Sequence, residues 1–97
     1  MIPKTVKIGW KTYTVAIVPS DKELVIENDV CYGHIDHENA LIRIAGKYPK
    51  AQQKATLLHE IVHGVVNLQN LDLNEDYVTR LANGLYGVFV DNGTQML

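Results

Sequence analysis

One cysteine in 97 residues, Cys31, has no partner within the chain, so no internal disulfide can brace the fold and no cysteine-ligated structural zinc is available. A reducing cytoplasm is the compartment this implies. No apolar run is long enough to cross a bilayer, and Met1-Ile2-Pro3-Lys4-Thr5-Val6-Lys7 lacks the apolar stretch of a cleaved signal. Neither a membrane nor a secretory route is expected. Positive charge is not in surplus either: nine Lys and Arg face eleven Asp and Glu, for a net charge of −2. Without a basic face to neutralise phosphates, nucleic acid is not an expected partner. Internal repeats and low-complexity linkers are missing as well.

What remains is an ordinary globular composition, 46% apolar and 21% charged, in a chain long enough for one core and too short for two. Residues 1–97 are therefore read as a single domain, and its texture changes near Tyr48-Pro49. Residues 4–45 are rich in Val, Ile, Thr and Tyr with period-two alternation, as in Val6 and Ile8 or Tyr13, Val15 and Ile17. This predicts a meander of short antiparallel strands filling residues 1–47. Gly9-Trp10-Lys11 reads as a tight hairpin, Pro19-Ser20-Asp21 as a strand end, and residues 24–27, 31–36 and 40–45 as three further strands.

After Pro49 the period becomes helical. Residues 50–70 hold no proline, and Gly64 is the one poor helix former among them. Leu57, Leu58, Ile61, Val62, Val65, Val66 and Leu68 point in nearly every direction around the axis, which predicts a buried central helix. Asn74 is placed to cap a second helix over residues 74–91, with Glu75 and Asp76 complementing its N-terminal dipole. Val78, Leu81, Leu85 and Val88 or Phe89 form its expected apolar stripe. Asp91-Asn92-Gly93 should end it, and the last residues should fray. The fold class is thus α+β: a small antiparallel sheet, possibly mixed at its edge, packed on one helix and backed by a second C-terminal helix.

Inside the apolar first helix lies His59-Glu60-Ile61-Val62-His63, an H-E-x-x-H pattern. Residues four apart share a helix face, so both imidazoles can reach one ion at about 2 Å. Glu60 sits beside the first ligand and can take a proton from a water polarised by zinc, making it the candidate general base for peptide-bond hydrolysis. Three ionisable side chains among apolar neighbours would be costly to bury without such a purpose. A catalytic zinc also needs a third protein ligand and an open position. Downstream candidates are Asp72, Glu75, Asp76 and Asp91. If the second helix packs back antiparallel, a carboxylate in its first turn is favoured, with Glu75 having the longer reach and Asp76 as its neighbour.

Thr56-Leu57-Leu58-His59-Glu60-Ile61-Val62-His63 followed by Glu75-Asp76-Tyr77-Val78-Thr79-Arg80-Leu81-Ala82-Asn83-Gly84-Leu85 resembles the ImmA/IrrE-type metallopeptidases and their small phage-type relatives, the minigluzincins. Glu75, Leu81, Ala82 and Leu85 match that family's E-x-x-x-x-x-[FL]-A-x-x-L stripe. Tyr32-Gly33-His34-Ile35-Asp36 and Leu41-Ile42-Arg43-Ile44 resemble the strand pair before its metal helix. The resemblance implies a zincin-like fold, zinc held by His59, His63 and Glu75, and a peptide or protein substrate. Thr79 stands where gluzincins commonly carry a supporting acid, so a hydroxyl replaces a charge there. A different class of function, a non-hydrolytic zinc-supported protein-binding module of a phage or mobile element, fits the same residues.

Other residues carry plainer expectations. His34 and His37 read as surface or turn histidines, and Cys31 as a small buried hydrophobe. Trp10, Tyr13, Tyr48, Tyr77 and Tyr86 read as core or rim aromatics. The strand over residues 40–45, if it lies at the sheet edge above the metal, could pair with an extended peptide; otherwise it is an ordinary sheet member.

Overall fold

The computed structural model describes residues 2–93. Alternation in the first half produces strands β1 (Thr5–Ile8), β2 (Lys11–Val18), β3 (Val25–Ile26), β4 (Asp29–Val30), β5 (Gly33–Asp36) and β6 (Leu41–Ala45). The helical half gives α1 (Lys50–Leu68) and α2 (Glu75–Asp91). β1 and β2 form the predicted hairpin, with Ile8 opposite Lys11 and only Gly9 and Trp10 between them. The frayed tail expected after Gly93 lies outside the described residues. No helix among the described residues is long and apolar enough to cross a membrane.

The sheet is not the expected antiparallel meander. Its order is β1-β2-β6-β5, and the central pair, β2 with β6, runs parallel from Thr14 beside Leu41 to Val18 beside Ala45. Parallel neighbours need a long connection. Here the intervening chain supplies it, carrying the separate β3–β4 hairpin and then β5, which pairs antiparallel with β6. Several strand boundaries also differ from the sequence reading: Leu24 and Glu27 flank β3, Asp29 belongs to a strand rather than to a turn, Cys31 and Tyr32 precede β5, and Ala40, at φ 51°, lies in the turn before β6.

This order puts β6 inside the sheet and leaves β5 at its edge, so of the two alternatives for residues 40–45 the ordinary sheet member holds and the edge does not. Ala45 N donates to Tyr32 O at 2.8 Å, so the antiparallel alternation turns the backbone groups of His34 and Asp36 toward β6. Those of Gly33 and Ile35 face outward along the free edge.

One face of the sheet buries Ile8, Tyr13, Val15, Ile42 and Ile44 against Leu57 of α1. α1 is thus the expected central helix, with the sheet on one side and α2 on the other. Gly64 in mid-helix has a packing reason: a Cβ there would stand 2.5 Å from Ile8 Cδ1. The start of α1 is tied down by buried Gln53, whose Nε2 donates to Tyr48 O at 2.9 Å and Gly46 O at 3.3 Å. Its C-terminus turns on Asn70 at φ 53°, with Leu71 N donating to Val66 O at 2.9 Å and Asn70 N to Asn67 O, the paired bonds of a Schellman motif.

α2 begins where expected, with Asn74 Oδ1 accepting from Tyr77 N at 2.9 Å. Its buried stripe differs by one step from the predicted one. Val78 and Ala82 pack on Val62, flanked by Val66, Leu73 and Leu85, whereas Leu81 is 48% exposed and Val88 also faces solvent. Spacings of three and four residues are both helical, and small Ala82 lets α2 settle closest to α1, so the face rotates toward it.

Candidate metal centre

His59 and His63 occupy successive turns of α1, and their Nε2 atoms stand 3.1 Å apart. Glu75, the first residue of α2, reaches both: Oε1 is 2.8 Å from His59 Nε2 and Oε2 is 2.8 Å from His63 Nε2. The Schellman turn and the Asn74 cap place that first helical residue opposite the middle of α1. Among the described residues, these three form the group whose ligand atoms all lie within 4.8 Å of one another and could hold a metal ion. Asp72, Asp76 and Asp91 stand outside it, and Asp76 instead lies 3.7 Å from Arg80 one turn on.

Three atoms sharing a tetrahedral zinc at about 2.1 Å sit roughly 3.4 Å from one another. The two nitrogens stand 3.1 Å apart and each lies 2.8 Å from a different oxygen of Glu75, so a slight spreading would make room for an ion. Two imidazoles and one carboxylate are also a donor set suited to zinc. Burial pushes the His63 imidazole below its ordinary pKa, against the opposing charge of Glu75, a shift that favours the neutral ring a metal would need. Thr79 Oγ1 lies 3.5 Å from Glu75 Oε1, one turn along α2, so a hydroxyl leans on the carboxylate where an acid was absent.

Glu60 is 6% exposed, on the same turn as His59 but facing the sheet. Burial, with the charge of Glu75 as the second cause, lifts its carboxyl from the usual carboxylate range to about 7. All four residues open into one cleft of about 580 Å³. Its walls are the β5 edge (Tyr32, Gly33, Ile35), the first three turns of α1 (Gln52, Thr56) and the pocket-facing side of α2 (Thr79, Asn83). A buried carboxyl group, a three-donor group beside it and a free strand edge along one wall therefore share a single space.

Several cleft residues were not legible as such. Tyr32 packs against Tyr48 with ring centroids 4.5 Å apart and forms part of the rim. Cys31 is half-buried and lines the cleft, rather than being a fully buried hydrophobe. The signal available for both was their position immediately before the edge strand. Trp10 is 78% exposed at the hairpin tip, far from a core role, while Tyr13 is buried and shares a 3.1 Å hydrogen bond with His37 Nδ1. His37 is pushed below its ordinary pKa by burial and then by the Lys11 charge. His34 lines the cleft but pairs with Arg43 at 3.3 Å, and neither histidine joins the three-donor group.

Compared with known proteins, the chain matches no family model, no curated protein and no solved structure.

Proposed function

We propose that this chain is a zinc-dependent metallopeptidase with a zincin-like fold, similar to the small ImmA/IrrE-type enzymes, acting on peptide or protein substrates in the cytoplasm. The observation that carries the reading is the convergence of His59, His63 and Glu75, from two helices, beside buried Glu60 in one open cleft. When bound, zinc would polarise a substrate carbonyl and lower the pKa of an attacking water.

The remaining work falls to the chain's own residues. Glu60, held near neutrality by its burial, accepts the proton from the attacking water and returns it to the leaving amine. The outward-facing backbone groups of Gly33 and Ile35 offer an extended polypeptide a ladder of hydrogen bonds along the cleft wall, which presents its carbonyl to the floor of the site. Thr79 steadies Glu75, so that the third donor keeps its orientation although its side chain is 66% exposed.

Glu60→Gln tests the reading. Its side chain is nearly isosteric and is not among the ligands, so zinc content should stay at the parent level while cleavage of casein falls by roughly 10²-fold or more. Full activity in that variant refutes the mechanism. Stoichiometric zinc in the parent with no turnover on any unfolded protein would instead support the non-hydrolytic protein-binding module.

A further inference from the structure

The edge strand meets the metal helix at Gly33. A Cβ built on Gly33 would lie 2.5 Å from Thr56 Cγ2, 3.1 Å from the Arg43 carbonyl oxygen and 3.3 Å from Glu60 Oε2. The first of these distances is shorter than real side chains tolerate, and Thr56 cannot easily yield. It is buried, its branched side chain has restricted rotamers, and its hydroxyl accepts from Gln52 Nε2 at 3.1 Å. The backbone conformation at Gly33 is ordinary, since its φ is not among the positive ones. The requirement for glycine here is one of space alone.

Resting on the peptidase reading for its chemistry, we propose that Gly33 is a positioning residue: the missing side chain lets β5 press against α1 and holds the Glu60 carboxylate in its working place. The contacts separate two effects. The Thr56 methyl sets how closely strand and helix pack. Were that methyl removed, the next nearest atoms to a new Cβ would be a backbone carbonyl oxygen fixed in the β5–β6 ladder and the Glu60 carboxylate, and the side chain is the one that gives way. A displacement of a few tenths of an ångström matters to a general base, which must stay within hydrogen-bond reach of the proton it takes.

The experiment uses Gly33→Ala, Thr56→Ser and the two combined, each in the full chain loaded with zinc. The readouts are zinc content, Tm, acetohydroxamate affinity by calorimetry, and kcat on casein. Acetohydroxamate is a small zinc chelator whose hydroxyl proton passes to a neighbouring carboxylate, so its affinity reports where Glu60 stands even without turnover, and Glu60→Gln sets the scale. Gly33→Ala should lower Tm, and the double variant should recover it because the methyl is gone. Both should keep one zinc per chain yet bind acetohydroxamate at least tenfold more weakly than the parent, with kcat falling in step. Thr56→Ser alone should resemble the parent. The proposal is overturned if the double variant binds acetohydroxamate within twofold of the parent, if it loses its zinc, or if the zinc-loaded parent binds no acetohydroxamate. A parent that shows the predicted pattern but cleaves nothing would sink the peptidase reading and leave the positioning role of Gly33 in place.

Discussion

At Glu60 a carboxyl group sits 6% exposed with the charge of Glu75 nearby, and both circumstances favour its protonated form. The consequence for stability has a definite sign in metal-free protein. A carboxyl whose pKa is raised by folding binds its proton more tightly in the native state, so its contribution is present in full below the unfolded value of 4.5. That contribution is lost as pH rises through about 7. The two limits differ by up to about 3 kcal/mol at 1.36 kcal/mol per pKa unit. His63 acts in the opposite direction, its depressed pKa adding stability as pH rises through its own range, but a Gln variant shares that slope. In chelator, Glu60→Gln should therefore gain stability relative to the parent between pH 4.5 and 8, as measured by urea unfolding at each pH. Parallel curves would contradict the assigned burial.

Between the helices, the geometry of the metal group depends on how closely α2 approaches α1. Ala82 is buried against Val62, about two turns along from Glu75, and it lets the helix axes come together. Ala82→Leu should cost about 1–3 kcal/mol of stability by overpacking. It should also weaken zinc binding, because the displaced α2 carries Glu75 away from His59 and His63; competition against a zinc indicator measures this, and unchanged affinity would show the two helices to be uncoupled. The same comparison shows why the helical half could be read from sequence. The H-E-x-x-H spacing, the Asn74 cap and the Glu75 position are local features whose meaning is contained within a few turns of helix. The sheet was less legible. Alternation at Tyr13, Val15 and Ile17 announces a strand, but nothing local announces that its neighbour is parallel β6, since strand order is decided by which apolar faces share the core. For that reason the sequence left open whether residues 40–45 lie at the edge or inside the sheet, and the cleft wall at Tyr32 and Gly33 could not be read from it. The stripe on α2 failed by a single step for a related reason: Val78 and Leu85 fit either face, and only contact with α1 selects Ala82 over Leu81.

For the molecule as a whole, the metal group joins the helix nearest the sheet to a helix that fully buries only Val78 and Ala82. Any ion held by His59, His63 and Glu75 therefore ties α2 to α1. Free zinc at a hundred times its dissociation constant would add about 2.7 kcal/mol to folding, which for a domain of this size corresponds to a rise in Tm of roughly 10–20 °C. Thermal melting with EDTA and after zinc is restored should show that interval, and it should shrink to nearly nothing in Glu75→Ala. The most direct measurement is the metal content of protein purified without added metal, read by elemental analysis alongside His63→Ala. The account predicts close to one zinc per chain in the parent and almost none in the variant. Zinc-free parent that takes up no zinc on dialysis, or equal zinc in both proteins, would contradict it.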